Sequence, residues 1–230
     1  ADGFIATSLK KDEFVADCSD LDNIIVFRRD GKMLVTKVAD KTFVGKDIIH
    51  VDIFRKNDER TTYNMIYVEG KTGVSYAKRF NVTGITRDKE YDLTKGSEKS
   101  RVHYLTVNAN GEAEVVKIIL SPNCSAKKKE LEFYFEELEI KGRGSIGNQV
   151  TKYPIKSVKF KEAGRSTLDA KKLWFDNKFG RLNADEKGEY LGKFEAEDRL
   201  LVIYSDGNYE IVDQELTQRF AVEKILLIEK

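Results

Sequence analysis

Short apolar runs, each broken by a turn that ends in glycine, recur along the chain and predict a series of β-hairpins. The first runs through Ile24-Ile25-Val26-Phe27, turns at Asp30-Gly31 and returns through Met33, Leu34 and Val35 to Lys37. Asp-Gly supplies the positive φ that a tight hairpin turn requires. A second runs from Tyr63 to Val68, turns at Glu69-Gly70 and returns through Val74 to Phe80. A third is expected from Val102 to Val107, with a turn at Asn110-Gly111 and a return through Val115 to Ile119. The fourth and fifth turn near Lys178-Phe179-Gly180 and at Asp206-Gly207. Gly31, Gly70 and Gly111 lie 39 and 41 residues apart, the length of a four-stranded propeller blade.

The next two intervals are 69 and 27 residues, so an irregular or inserted segment is expected over about 121–170. Within it Leu131, Phe133 and Phe135 alternate as a strand does. No sustained apolar stripe of helical period competes with these signals. The predicted fold is all-β and propeller-like, a single domain over 4–230 with about five four-stranded blades, or six if the middle segment hides another.

Composition alters this picture little. The aromatic load of thirteen Phe, ten Tyr and one Trp suits sheet packing. No apolar run is long enough for a transmembrane helix, and the start at Ala1 has no basic and apolar leader regions. A cytoplasmic location is expected, and the absent initiator Met suggests a fragment of a longer polypeptide. Cys18 and Cys124, with only His50 and His103 beside them, fit neither a disulfide framework nor a zinc cluster.

Charge carries more. The formal net charge is +1, unlike the basic excess of most nucleic-acid binders. From Lys141 to Arg181, however, eleven Lys or Arg stand against three acids, and from Leu182 to Lys230 six basic residues stand against twelve acidic ones. Such asymmetry can build a local positive field on a nearly neutral molecule. Charge clustering on an ordinary solvated surface produces the same counts.

No catalytic constellation is legible. Phosphate-binding loops of Walker type, serine elbows and His-Glu-x-x-His helices are missing from the sequence, and carboxylate pairs such as Glu136-Glu137 are common in a chain this charged. A basic residue does recur after the turns: Lys37 and Lys117 each lie six residues past a turn glycine, and Lys78-Arg79 occupies a comparable place. Stacked as equivalent blades, such residues would form a curved basic track, although strand-end lysines also guard edges against aggregation. The segment Gly142-Arg143-Gly144-Ser145-Ile146-Gly147 joins close backbone approach to positive charge, a combination that can grip phosphates or serve as a plain hairpin connection.

These residues resemble the β-pinwheel C-terminal domains of the A subunits of gyrase and topoisomerase IV. Leu9-Lys10-Lys11-Asp12-Glu13-Phe14-Val15, followed by Ile24-Ile25-Val26-Phe27 and Asp30-Gly31-Lys32, is similar to that family's first repeat. Asp47-Ile48-Ile49-His50-Val51 sits where a blade closes, and Gly142 to Gly147 resembles the Gly-Arg-x-x-x-Gly segment between blades. The likeness runs unevenly from about Phe4 to the C-terminus and is poorest between Cys124 and Ala170.

The resemblance implies a non-catalytic domain that binds and bends or wraps duplex DNA on its outer rim for the strand-passing core, the strand-breaking tyrosine lying in another domain. It implies no cofactor here, with ATP and Mg expected elsewhere in the full enzyme. The implied partners are double-stranded DNA, the rest of the A subunit and the B subunit, with no membrane and a nucleoid-associated location. The Gln-Arg-Arg-Gly-Gly-Lys-Gly box of gyrase does not occur in these 230 residues, which favours topoisomerase IV. Charge and repeat position give as candidate DNA contacts Lys37, Lys78, Arg79, Lys117, Arg143, Lys152, Arg165, Lys171, Lys172, Lys178 and Arg181. The competing reading is a propeller-like protein-interaction scaffold, which the near-zero net charge favours.

Overall fold

The computed structural model describes residues 3–8, 13–195 and 198–230. Among these the regular structure is twenty strands and two single-turn 3-10 helices, so the chain is all-β. No helix among the described residues is long and apolar enough to cross a membrane. Contacts divide the chain into two compact units, 1–165 and 166–230, where repeat spacing led us to expect one domain over 4–230.

Three sheets build the first unit. The first has the order Ile48–Ile53, Asn23–Arg28, Lys32–Lys37, Tyr91–Asp92. The second places Thr62–Val68 between Arg101–Asn108 and Ser75–Asn81, and both Ile140–Gly142 and Asn148–Thr151 join the far edge of Ser75–Asn81. The third sets Val115–Leu120 between Glu130–Tyr134 and Ile155–Glu162. A two-stranded piece, Phe4–Ala6 with Lys41–Phe43, completes the unit.

Side-chain alternation explains the stacking. In the first sheet Ile25 and Phe27 face a core shared with Tyr63, Met65, Tyr67 and Phe80 of the second, while Ile24 and Val26 face Val44 on the other side. In the second, Ile66 and Ala77 turn the opposite way and meet Val116, Ile118 and Leu120 of the third. The first two sheets are thus buried on both faces, so Ile24–Phe27 and Met65–Val68 on their central strands read as continuous apolar runs. The third is buried on one face only, and Lys117 occupies the other.

The second unit has two sheets. Lys171–Asp176 pairs with Arg181–Asn183 and Glu189–Phe194. Leu200–Tyr204 pairs with Tyr209–Val212 and Ile225–Glu229. Leu173, Phe175 and Phe194 pack against Leu200, Val202 and Ile228. Within each unit, then, sheets stack face to face as blades do. Among the described residues five principal sheets are present, but three of them have three strands and one has five.

Four of the five expected hairpins form. Asn23–Arg28 pairs with Lys32–Lys37, and Gly31 takes φ +81 in the turn. The hairpins at Gly70, Gly180 and Gly207 are likewise present. The third requires correction: Arg101–Asn108 pairs with Thr62–Val68 of the second sheet, whereas Val115–Leu120 centres the third. Asn110-Gly111 therefore carries the chain from one sheet to the next. The segment 121–170 is not an insertion but supplies the outer strands of the third sheet and the edge of the second, and the alternation over Leu131 and Phe133 is a strand, Glu130–Tyr134.

Candidate nucleic-acid interface

The Gly142–Gly147 loop is tied at both ends to the strand Ser75–Asn81. Before it, Ile140–Gly142 runs parallel to Ser75–Asn81, with Ile140 opposite Arg79 and Gly142 opposite Asn81. After it, Asn148–Thr151 runs antiparallel to the same strand, with Asn148 opposite Ala77. The chain therefore reverses within six residues at one sheet edge. Gly147 makes this possible: its φ is +92, and a Cβ there would lie 2.4 Å from the Ala77 carbonyl oxygen. The Ser145 N–H closes the turn on the Gly142 carbonyl at 3.0 Å.

Cations and aromatic rings meet beside this loop. The Arg143 guanidinium lies 4.3 Å from the centre of the Tyr91 ring and donates to the Gly84 carbonyl, and the Lys89 ammonium lies 5.4 Å from the same ring. The Tyr91 phenol oxygen accepts the Thr86 N–H at 2.8 Å; this bond, with Arg143 and Lys89 nearby, holds its pKa below the usual tyrosine range. Lys95 donates to the Tyr76 hydroxyl at 2.8 Å. Residues 84–95 are thus part of the candidate surface, a contribution that charge counting over 141–181 did not reach.

Lys78 and Arg79, expected on an exposed rim, are each only 2% exposed. The Lys78 ammonium donates to the carbonyls of Arg143 at 2.7 Å and Ser145 at 2.8 Å, and burial pushes its pKa down to about 7 against the opposing pull of Asp92. Arg79 donates from Nε to Asn64 at 3.1 Å and from its terminal nitrogens to the carbonyls of Gly111, Glu112 and Leu138. Burial lowers its pKa too, opposed by Glu114 and Glu112. Asn64 in turn donates to Glu114, which also accepts from the Thr106 hydroxyl. These two cations are interior links, not parts of an accessible track.

The other candidates are dispersed. Lys37, Lys152 and Arg165 are exposed. Lys117 is half-exposed and paired with Glu130 on the outer face of the third sheet. Because Gly111 is not a hairpin turn, Lys117 sits within a strand paired on both sides, while Lys37 ends a strand and is paired there with Asn23 alone. Their common distance from a glycine does not make them equivalent.

In the second unit several candidates share a face. Lys172 stands opposite Lys193, and Trp174 opposite Tyr190, with ring centres 5.0 Å apart. Tyr190 is 50% exposed. Lys178 and Arg181 both lie over the Phe179 ring, at 5.5 and 5.6 Å. Lys171 points the other way and donates to the Gln214 carbonyl at 3.1 Å. The outer face of this sheet thus combines cations with partly exposed aromatic rings, and the sequence signal for it was the alternation Lys172-Leu173-Trp174-Phe175.

Of the motifs behind the family resemblance, Leu9 to Asp12 lie outside the described residues, while Phe14 and Val15 are exposed and in no strand. Residues 48–51 fall in the edge strand Ile48–Ile53 of the first sheet. His50 and His103 are strand residues whose pKa values burial lowers; Arg101 and Arg29 lower that of His103 further.

The chain is 28% identical over 162 residues to the DNA topoisomerase 4 A subunit of Borreliella burgdorferi, an alignment covering 70% of this chain and 24% of that protein. It spans about a quarter of that relative. Among solved structures, a C-terminal domain of DNA topoisomerase IV aligns with 90% of this chain and 78% of its own at 10% identity and a TM-score of 0.44. A gyrase A C-terminal domain aligns over 99% and 91%, at 11% identity and a TM-score of 0.32. The profile of the topoisomerase C-terminal domain of Bacteroidota matches residues 1–162 and 181–230, and the chain belongs to that family.

Proposed function

We propose that this domain binds duplex DNA through its phosphates, with little base preference, bends or wraps it, and presents a segment to the strand-passing core of a type IIA topoisomerase. The observation that carries the proposal is the Gly142–Gly147 loop, fixed at a sheet edge with Lys141 exposed and Arg143 stacked on Tyr91. Phosphate contacts position a duplex without reading its sequence. Bending a site of 20 to 30 base pairs costs on the order of 1–6 kcal/mol, so several separate cationic patches are needed to offset it. The partly exposed group around Lys172, Lys178 and Arg181 is a second such patch.

On this reading the domain has no catalytic centre and needs no cofactor of its own. Its partners are DNA, the rest of the A subunit and the B subunit, in the nucleoid. Topoisomerase IV is favoured over gyrase by the name of the Borreliella relative. Fluorescence anisotropy with a duplex of 100 base pairs tests the proposal. The logarithm of affinity should fall linearly with the logarithm of salt, and Lys172→Glu with Arg181→Glu should lower both affinity and slope. No binding at low salt sinks the idea. Counting superhelical turns by ligation then separates wrapping from bending.

One observation favours a second reading, a protein-interaction scaffold. On the outer face of the last sheet Tyr209 is 70% and Ile211 58% exposed, in register with Ile203 and Leu201. Under this reading the charge reversals leave DNA affinity absent throughout.

A further inference from the structure

Lys78 lies where its neighbouring chain changes direction. On that edge Ala77 faces Asn148 and Arg79 faces Ile140, so the residue between them has no partner in either register. Its side chain fills the gap, donating to the carbonyls of Arg143 and Ser145 at 2.7 and 2.8 Å, with the ammonium 4.7 Å from the Phe80 ring centre. A second interior donor completes the support: the Tyr67 hydroxyl donates to the Ile146 carbonyl at 2.8 Å. Three loop carbonyls are thereby held by two side chains rooted in the sheet.

We propose that Lys78, assisted by Tyr67, is the positioning residue of the Gly142–Gly147 loop, an internal ammonium that fixes its shape and so the presentation of Lys141 and Arg143 to a polyanion. Glycines leave a six-residue reversal many alternative conformations, and donors beneath the carbonyls select one. The presentation to a polyanion rests on the DNA-binding reading; the support of the loop does not. Because the ammonium is buried, its protonation is coupled to the loop. The charged group that acts on it is Asp92, which itself pairs with Lys32 at 2.7 Å.

The full chain and its Lys78→Met variant are compared by nitrogen-15 relaxation and by anisotropy with duplex DNA. Order parameters of residues 143–147 are expected to drop from about 0.85 to below about 0.6 in the variant, with those of Met65 and Ile66 unchanged, and DNA affinity to fall about tenfold. A folded variant whose loop stays rigid overturns the proposal. Mobile loop residues with unaltered DNA affinity overturn its link to binding. Should the variant fail to fold, the wild-type chain decides: the amide shifts of 143–147 must follow the titration of the Lys78 ammonium between pH 6 and 9, and static shifts reject the idea. A wild-type chain that ignores DNA defeats the proposed function alone, because the relaxation and titration readouts still judge Lys78.

Discussion

Lys78 and Arg79 are adjacent, both basic and almost wholly buried, yet they serve opposite faces of one sheet. Lys78 shares its face with Phe80 and reaches the Gly142–Gly147 loop; Arg79 shares its face with Ala77 and reaches the Gly111-Glu112 crossover. Sequence showed two cations near a strand end, which ordinarily means a solvated edge. What it did not show is that Ile140–Gly142 and Asn148–Thr151, some sixty or seventy residues later, cover that edge. Removing Arg79 takes the donor from the Asn64 amide oxygen and the carbonyls of Gly111, Glu112 and Leu138, so Arg79→Met should cost about 1–3 kcal/mol for each buried acceptor left unsatisfied, read by urea denaturation, against less than about 0.5 kcal/mol for exposed Lys37→Ala. Lys78 adds a pH signature. Its pKa is about 7 when folded and 10.5 by its ordinary value, so between those limits the unfolded chain binds more protons and stability rises with pH. From pH 7 to 9 that rise should be present in the wild-type chain and diminished in Lys78→Met; equal slopes would contradict the assignment.

At the scale of elements, strands and turns were legible wherever partners were local. The hairpins at Gly31, Gly70, Gly180 and Gly207 pair runs only a few residues apart, and turn chemistry sufficed. Asn110-Gly111 has the same chemistry but joins two sheets, because Arg101–Asn108 finds a longer partner in Thr62–Val68. A positive φ reverses the chain locally without deciding which strands pair. The blurred middle segment has the same cause, since Ile140–Gly142, Asn148–Thr151 and Ile155–Glu162 pair with residues far back in sequence. The Gly142–Gly147 reversal gives this a test. Gly147 combines φ +92 with contact against the Ala77 carbonyl, whereas Gly207 combines φ +86 with open space. Gly147→Ala should therefore cost more than Gly207→Ala, for which about 1–2 kcal/mol is expected from conformation alone. Equal losses of stability would mean that the loop does not press on the sheet.

At the scale of the whole molecule, the basic block from Lys141 to Arg181 is divided by the unit boundary after Arg165. Arg143 belongs to the Tyr91 cluster of the first unit, and Lys172 and Arg181 to the outer sheet face of the second. The glycine spacing marks the turns of the first two sheets and the crossover to the third, but it carries no information about how contacts divide the chain into units. Each unit has a core of its own. Phe175, fully buried among Leu173, Leu182, Phe194 and Phe220, belongs to the second, as Met65 and Ile66 belong to the first. Truncating a buried Phe to Ala costs about 3–5 kcal/mol, a large share of the stability that two packed three-stranded sheets can supply. Phe175→Ala should thus open the second unit as a block. In native-state hydrogen exchange its amides from 171 to 229 should lose protection, while those of Met65 and Ile66 keep theirs. If protection falls in both sets together, folding is cooperative across residue 165 and the chain behaves as the single domain that its repeats suggested.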